Sequence, residues 1–225
     1  MSLLIKICGL STPETLDAAL DAGADMVGLN FHPRSPRSVT LEQAAALARR
    51  ARGRTRIVAL VVDLPDSRLD AIRAAVVPDL WQLHGSEPPE RIAAIRASQA
   101  IPVMKAIGVS AAADLAGIAA FAAAADHVLL DAKPPKDAAY PGGHGRPFDW
   151  ALLKGLDRAQ PFLLSGGLTP DTVGAAVRTV RGMGLDLAGV DVSSGVESAP
   201  GVKDAAKIRA FIAAARAADQ ETSSA

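Results

Sequence analysis

The single cysteine of the chain stands where a short apolar run meets a glycine. The run is L-I-K-I-C-G-L at positions 4 to 10, which places Lys6 two residues before Cys8. If this run is a strand, the two side chains share one face, and a nearby ammonium group favours the thiolate, which is a base or nucleophile. Two plainer interpretations stay open. A buried cysteine can serve as a small apolar side chain, and Lys6 can pair with an interior carboxylate for structure alone.

Two aspartates are candidates for an acid that would work with such a base. Asp131 closes the apolar run H-V-L-L-D and precedes a segment from 132 to 148 that is rich in proline and glycine. A loop of this length often covers a binding site, and a carboxyl group beneath it can hold a proton and act as a general acid. The same position also suits an aspartate that caps a turn. Asp191 is a second candidate, with the same two interpretations.

Two glycine-containing segments late in the chain are suited to bind an anion. They are S-G-G-L-T-P at 165 to 170 and V-S-S-G-V-E at 192 to 197. Glycine lets backbone amides approach an anion closely, and in the first segment Thr169 is predicted to cap a helix with Pro170 at its first position. The alternative is that these glycines only form turns.

Two arginines lie in the segment F-H-P-R-S-P-R-S-V, positions 31 to 39. Arginine binds a planar carboxylate through paired hydrogen bonds, so the segment indicates a substrate that carries a carboxylate. We interpret Arg34 as solvated. The histidines lack the spacing of a metal-binding motif such as H-E-x-x-H, so we predict no metal. They are His32, His84, His127 and His144.

The elements that position these residues are short β-branched runs separated by alanine-rich, helix-favouring segments. This alternation is typical of βα units and a parallel sheet, and eight such units in 225 residues predict a single (β/α)8 barrel. The two glycine segments then follow strands seven and eight, where barrels commonly bind phosphate. A helical segment is expected after each strand. The predicted strands are Leu3–Cys8, Met26–Phe31, Ile57–Val62, Leu80–Leu83, Val103–Ala106, His127–Leu130, Phe162–Leu164 and Leu187–Val192.

A weak internal repeat supports the barrel. An aspartate begins several predicted strands, and a polar residue follows five positions later, at the carboxyl end of the strand. These later residues are expected to converge on the mouth of the barrel, whereas the aspartates themselves are interpreted as turn residues. The pairs are Asp25 with Asn30, Asp79 with His84, Asp126 with Asp131, and Asp186 with Asp191.

Composition narrows the class of protein. Lysine plus arginine equals aspartate plus glutamate at 24 each, so no overall charge favours nucleic acid or an anionic membrane, and we predict a small-molecule partner. The chain has one cysteine and no apolar stretch near the ~20 residues that span a bilayer, which predicts a cytoplasmic protein without internal disulfides. We predict one domain over 1–216 and a frayed, solvated tail over 217–225. The composition suits either a monomer or a homodimer.

Six motifs run in order from Lys6 to Asp204: K-I-C-G, G-L-N-F-H-P-R-S-P-R-S-V, W-Q-L-H-G, L-L-D-A-K with P-G-G-H-G-R-P-F-D-W, L-S-G-G-L-T-P, and V-D-V-S-S-G-V-E-S-A-P-G-V-K-D. In sequence and in order they resemble the motifs of the phosphoribosylanthranilate isomerase family. The resemblance covers nearly the whole chain. It implies a (β/α)8 barrel that converts N-(5-phosphoribosyl)anthranilate to 1-(2-carboxyphenylamino)-1-deoxyribulose 5-phosphate, an Amadori rearrangement of tryptophan biosynthesis without a cofactor. The length leaves no room for a fused second enzyme, so we expect one activity.

The resemblance also implies roles for individual residues. Cys8 of K-I-C-G is the general base, Asp131 of L-L-D is the general acid, and Arg37 holds the anthranilate carboxylate. We group Lys6 and His84 with the substrate-binding residues, and whether either adjusts the cysteine directly or only shapes the pocket stays open. The phosphate-binding residues implied by the two glycine segments are Gly166, Gly167, Ser194 and Gly195.

Two rival functions fit the same fold. One is another phosphosugar barrel, such as the aminoaldose isomerase of the histidine pathway, which shares the Amadori chemistry but has an aspartate where this chain has Cys8. The other is a barrel that binds phosphorylated metabolites without turnover. Cys8 argues against the first rival, and the presence of both Cys8 and Asp131 argues against the second. Fold alone would not decide among these functions.

Overall fold

Eight parallel strands close into a barrel, in the order β1 to β8, in the computed structural model of the chain. The structure describes residues 2–134, 137–138, 140, 142–145 and 147–223. The barrel strands are β1 Leu4–Cys8, β2 Met26–Asn30, β3 Arg56–Val61, β4 Leu80–Leu83, β5 Val103–Val109, β6 His127–Ala132, β7 Phe162–Leu164 and β8 Leu187–Val192. A short antiparallel pair follows, β9 Glu197–Ala199 and β10 Val202–Lys203. The helices are α1 Pro13–Asp21, α2 Leu41–Ala51, α3 Asp66–Val76, α4 Pro89–Gln99, α5 Ile118–Ala124, α6 Val173–Gly182 and α7 Ala205–Ser223.

The eight predicted strands and the predicted barrel are confirmed, but the expected helix after every strand is not. Within the described part of the segment after β6, the only helix is the 3-10 helix Trp150–Gly155. Prolines and glycines between the strand and that helix disfavour a regular α-helix. After β8, the 3-10 helix Ser194–Val196 and the β9–β10 hairpin come before α7.

Apolar side chains fill the lower part of the barrel, beneath the carboxyl ends of the strands. The inward layer includes Met26, Leu80, Met104 and Leu129, with Leu4 packed against it. A larger apolar cluster lies between the outer face of the strands and the helices. Burial of this area supplies the main favourable free energy of folding, and it makes the barrel a rigid support for its rim.

Three of the four aspartates that begin even-numbered strands bond through their side chains to the preceding strand, as their interpretation as structural residues predicts. Asp25 Oδ2 accepts from Ile5 N at 2.7 Å, and Asp79 Oδ2 accepts from Ile57 N at 2.8 Å. Asp126 Oδ2 accepts from the Val103 amide at 2.9 Å. These side chains therefore occupy amides at the amino end of the barrel, opposite the mouth.

The predicted frayed tail from residue 217 is wrong as far as Ser223. Helix α7 continues to that residue, because Ala218 is buried against the core and Asp219 makes specific polar contacts. Asp219 Oδ2 accepts from Leu3 N at 3.1 Å, and Arg181 lies 2.7 Å from Asp219 Oδ1. Residues 224 and 225 lie outside the described residues. The helices that the structure describes include none that is both long and apolar enough to cross a bilayer.

Candidate active site

A cavity opens at the carboxyl ends of the strands. The four polar residues that the internal repeat predicts at the mouth all line this cavity. This confirms which face of each strand was predicted to point into the barrel. They are Asn30, His84, Asp131 and Asp191.

Cys8 lies in the cavity wall directly above a buried ion pair. Lys6 and Asp191 are register partners on the neighbouring strands β1 and β8, and Lys6 Nζ lies 2.6 Å from Asp191 Oδ1. The second oxygen, Oδ2, accepts from Ser165 Oγ at 3.0 Å. Burial raises the pKa of the Cys8 thiol; the charge of Lys6 lowers it and that of Asp191 raises it further. Burial would lower the pKa of Lys6, but Asp191 and Cys8 outweigh burial, so the lysine stays protonated.

A glycine on the adjacent strand makes room for the thiol. Gly28 of β2 is the register partner of Cys8. A Cβ atom at Gly28 would lie 2.8 Å from Cys8 Sγ and 3.3 Å from Lys6 Nζ. The sulfur and the ammonium nitrogen therefore share the space beside this glycine, and a larger side chain would displace at least one of them.

Asp131 lies on β6 in contact with a histidine from β4. Its Oδ2 is 3.5 Å from His84 Nε2, and its Oδ1 accepts from the amide of Ala132 at 2.8 Å. Gln82 Nε2 lies 3.3 Å from His84 Nδ1. Gly142 covers the pair so closely that a Cβ there would lie 2.6 Å from Asp131 Oδ2. The carboxyl group is thus enclosed on the loop side and open toward the cavity.

Arg37 is buried at the rim in a second charged cluster. Its Nε and Nη2 donate to Glu197 Oε1 and Oε2 at 2.6 and 2.9 Å, and Nη2 also donates to Gly143 O at 3.1 Å. Lys203 Nζ donates to Glu197 Oε1 at 2.8 Å and to Ser193 O at 2.8 Å. Burial lowers the pKa of Lys203 to about 8, against the charge of Glu197. Among the described residues, Arg37 Nη1 has no hydrogen-bond partner.

The loop that carries Arg37 is organised from the end of β2. Asn30 Nδ2 donates to Ser35 Oγ at 3.1 Å, and the same hydroxyl accepts from Arg37 N at 3.2 Å. Gly9 has a φ of +76°, and a Cβ there would lie 2.7 Å from Arg37 Cδ. A glycine is therefore required at this position, because an L side chain would be strained and would collide with the arginine.

The two predicted glycine loops pack against each other beside the cavity. A Cβ at Gly195 would lie 1.8 Å from Leu168 O, and one at Gly166 would lie 2.6 Å from Ala132 N. The amides of Gly166 and Gly167 donate to no acceptor among the described residues. The predicted helix cap at Thr169 is wrong: α6 begins at Val173, because Thr169 O first accepts from the amides of Thr172 and Val173 in a turn.

Part of the long loop after β6 forms an aromatic wall of the cavity. Tyr140 and His144 stack with centroids 4.5 Å apart and an interplanar angle of 11°. Arg37 Cζ lies 5.9 Å from the Tyr140 ring centroid, which suits a cation–π contact. Both aromatic side chains line the cavity. The described part of this segment therefore lies over the site, next to the charged rim.

Among the residues that the structure describes, no group of three or more His, Cys, Asp or Glu side chains is arranged to hold a metal ion. The polar side chains instead place a thiol, a carboxyl group and a fixed guanidinium group around one cavity. The two glycine loops lie at its edge. This set suits proton transfer on a substrate that carries two anionic groups.

The family model for N-(5'-phosphoribosyl)anthranilate isomerase matches residues 5–214. This chain belongs to that family. A curated N-(5'-phosphoribosyl)anthranilate isomerase of Afipia carboxidovorans is 58% identical over 218 residues, which cover 97% of this chain and 91% of the relative. One from Nitrobacter hamburgensis is also 58% identical, over 97% of this chain and 95% of the relative.

Solved structures of phosphoribosylanthranilate isomerases share the fold. The enzyme of Thermotoga maritima is 34% identical with a TM-score of 0.83, covering 96% of this chain and 99% of that one. A complex of a phosphoribosylanthranilate isomerase with reduced 1-(o-carboxyphenylamino)-1-deoxyribulose 5-phosphate is 32% identical with a TM-score of 0.79, over the same shares.

For this member of the phosphoribosylanthranilate isomerase family, the structure brings together all but one of the site residues that the sequence predicts. Lys6 is the exception: it is fully buried beneath the cavity and does not line it, so direct contact with substrate does not fit its position. The predicted site residues that line the cavity are Cys8, Arg37, His84, Asp131, Gly166, Gly167, Ser194 and Gly195.

Sequence reasoning missed the partners of these residues. Glu197 and Lys203 stand within quoted motifs, but nothing in their spacing indicates that they meet Arg37. Gly28 would have been found by asking which residue faces Cys8 on the neighbouring strand.

Proposed function

We propose that this chain isomerises N-(5'-phosphoribosyl)anthranilate to 1-(2-carboxyphenylamino)-1-deoxyribulose 5-phosphate in tryptophan biosynthesis. The family match over residues 5–214 supports the reaction, as do the relatives that carry this activity in their names. The observation that carries it is the single cavity lined by Cys8, Asp131, Arg37 and both glycine loops. A thiol base, a carboxyl acid and anchors for a carboxylate and a phosphate are what this substrate requires.

In the first proposed step, Asp131 acts as the general acid. It gives its proton to the ribose ring oxygen as the bond from that oxygen to C1 breaks. The lone pair of the anthranilate nitrogen forms a double bond to C1, which leaves an open-chain iminium ion and an Asp131 carboxylate. His84, at 3.5 Å, and the Ala132 amide, at 2.8 Å, are positioned to stabilise that carboxylate.

In the second proposed step, Cys8 acts as the general base. The iminium ion makes the proton on C2 acidic, and the thiolate takes it. The electrons of that C–H bond form a double bond between C1 and C2, and those of the C=N bond return to nitrogen, so the product is a neutral enolamine. Tautomerisation to the ketone moves a proton to C1 and releases the one on the C2 oxygen. The step needs a thiolate rather than a thiol.

The two ends of the substrate are held by different groups in this proposal. Arg37 offers Nη1 to the anthranilate carboxylate, while its other nitrogens hold Glu197 and Gly143. The backbone amides of the glycine loops, at Gly166, Gly167, Ser194 and Gly195, bind the phosphate. Fixing both ends limits the motion of the reacting atoms between the acid and the base, which is a large part of catalysis by proximity.

The deciding experiment follows the loss of anthranilate-type fluorescence when purified protein acts on freshly made phosphoribosylanthranilate. The unchanged protein should turn the substrate over, and Cys8→Ala and Asp131→Asn should each lower kcat by roughly 10²-fold or more. Circular dichroism of each variant checks the fold. Near-normal activity in either variant would reject that role. Absence of turnover in the unchanged protein, with phosphate esters still bound, would favour a barrel without catalysis.

We further propose a cytoplasmic enzyme whose partner is the phosphorylated small molecule, without a cofactor. One solved relative from Thermotoga maritima is described as monomers generated from a dimeric phosphoribosylanthranilate isomerase. For this chain a monomer and a homodimer both stay predicted. Light scattering on the purified protein distinguishes the two masses.

A further inference from the structure

The stability of the fold does not by itself explain why the buried pair of Lys6 and Asp191 lies where it does. A buried ion pair contributes little net stability, because desolvation offsets the attraction between the charges. This pair nevertheless lies directly beneath Cys8, with the ammonium group fully buried and 2.6 Å from the carboxylate. The pair therefore fixes a positive charge at one location, next to the sulfur.

Three features of the structure hold the Lys6 charge beside the sulfur. The register of β1 against β8 sets Lys6 opposite Asp191. Ser165 Oγ donates to the free oxygen of the carboxylate at 3.0 Å, which prevents the carboxylate from turning away. Gly28 leaves open the space that Cys8 Sγ and Lys6 Nζ share. The ammonium group is thus shared between the carboxylate and the sulfur.

We propose that the Lys6–Asp191 pair is a positioning element that favours the thiolate of Cys8, in which Lys6 supplies the counter-charge and Asp191 holds it and limits its effect. The proposal rests on the proposed function, because it assigns a purpose to a thiolate that the isomerase needs as its base. It gives Lys6 a role without contact with substrate.

Other charged groups face Cys8 from the elements around it. Lys203 of β10 and Arg37 of the loop after β2 both interact electrostatically with the thiol, and both share the carboxylate of Glu197. Burial is the largest influence and raises the pKa of Cys8, whereas Lys6 is the strongest opposing one and Lys203 a weaker one. Asp191 raises the pKa, so the two members of the pair act on the thiol in opposite directions.

Because Lys6 and Asp191 act on the thiol in opposite directions, variants of the pair can test the proposal. Cys8 is the only cysteine, so the rate of alkylation by iodoacetamide and the ultraviolet thiolate absorbance report on it alone. At about pH 8, Asp191→Asn should alkylate about tenfold faster than the unchanged protein, because Lys6 then acts on the sulfur undivided. Lys6→Met/Asp191→Asn should alkylate about tenfold slower than the unchanged protein, with the thiolate absorbance shifted to higher pH by about one unit.

The double variant avoids the weakness of a single change at either member of the pair, which leaves a buried charge unpaired and threatens the fold. Circular dichroism therefore checks the fold of Asp191→Asn. A matched control removes a second buried pair away from the thiol: Lys105→Met/Glu87→Gln, whose charges lie 2.7 Å apart. The control should leave the alkylation rate of Cys8 within about twofold of the unchanged protein, since a distant charge has little effect.

Two results would overturn the proposal. One is a double variant that alkylates as fast as the unchanged protein. The other is a control that changes the rate as much as the double variant does. The outcome is separate from that of the proposed function: alkylation reports the charge on Cys8 whether or not the protein isomerises phosphoribosylanthranilate. If Cys8→Ala keeps its turnover while the alkylation pattern holds, the base assignment fails and the electrostatic pairing stands.

Discussion

Arg37 and Glu197, 160 residues apart in the chain, meet through two hydrogen bonds, from Nε to Oε1 at 2.6 Å and from Nη2 to Oε2 at 2.9 Å. The pair joins the loop after β2 to the hairpin after β8 across the closing point of the barrel. Because the fork fixes the plane of the guanidinium group, its free Nη1 points in a set direction before substrate binds. The anchor proposed for the anthranilate carboxylate is therefore preorganised.

Replacing Arg37 should weaken substrate binding more than it slows the chemical step. Arg37→Ala removes the proposed hydrogen bond to the substrate carboxylate, so we expect KM to rise about tenfold or more while kcat falls less. Glu197→Gln keeps the arginine but loosens its orientation, and it should raise KM by a smaller factor. Steady-state kinetics on phosphoribosylanthranilate measure both.

Arg34 provides the control for this prediction. It lies in the same loop, is exposed and does not line the cavity. Arg34→Ala should leave KM unchanged. An unchanged KM in Arg37→Ala would refute the carboxylate anchor, and an equal rise in both variants would mean that overall charge, not position, attracts the substrate.

A side chain at Gly195 should disrupt the proposed phosphate site. A Cβ atom there would lie 1.8 Å from Leu168 O, so Gly195→Ala must separate the two glycine loops. We expect inorganic phosphate, used as a competitive inhibitor, to lose about tenfold or more in affinity. Gly182→Ala, at the end of α6 with open space around it, should keep full affinity. Tight phosphate inhibition in Gly195→Ala would contradict the assignment.

Gly28→Ala should reduce the rate of the chemical step. The added methyl group would lie 2.8 Å from Cys8 Sγ and displace the proposed base. Because proton transfer depends steeply on position, we expect kcat to fall about tenfold or more with a smaller change in KM. Gly155→Ala, which meets nothing within 4 Å, is the control. A Gly28→Ala variant with normal kcat would show that the position of the sulfur tolerates this displacement.

Lys203 should make stability depend on alkaline pH. Burial lowers its pKa to about 8, whereas an unfolded lysine keeps its proton to about pH 10. Between these values the unfolded state binds more protons than the native state, so the free energy of unfolding rises with pH. Relative to Lys203→Met, the unchanged protein should gain on the order of 2 kcal/mol between about pH 7.5 and 9.5. Urea unfolding measures this gain, and a constant difference between the two proteins would contradict it.

Local patterns in the sequence were enough to predict the barrel and the rim of its cavity. Strand alternation assigns Asn30, His84, Asp131 and Asp191 to the mouth, because the face of a strand is set by counting residues. The same rule finds Cys8. These predictions depend only on residues close together in the sequence, all of which lie within one strand.

The errors and omissions have a different cause. The tail from 217 consists of small and polar residues, but Asp219 accepts a hydrogen bond from the amide of Leu3, just before β1, and this contact stabilises the end of α7. Glu197 meets Arg37 only because the barrel closes. Contacts between residues so far apart depend on register and loop path, which no local pattern contains.

The aspartates at the amino end of the barrel divide it into units. Asp25 ties β2 to β1, Asp79 ties β4 to β3, and Asp126 ties β6 to β5. Each bond joins an odd strand to the even strand that follows it, and none of the three crosses from an even strand to the next odd one. These three side-chain bonds thus group six strands into pairs, and the connections between pairs, such as the one around Ala100, are where the chain can be divided without breaking any of the three.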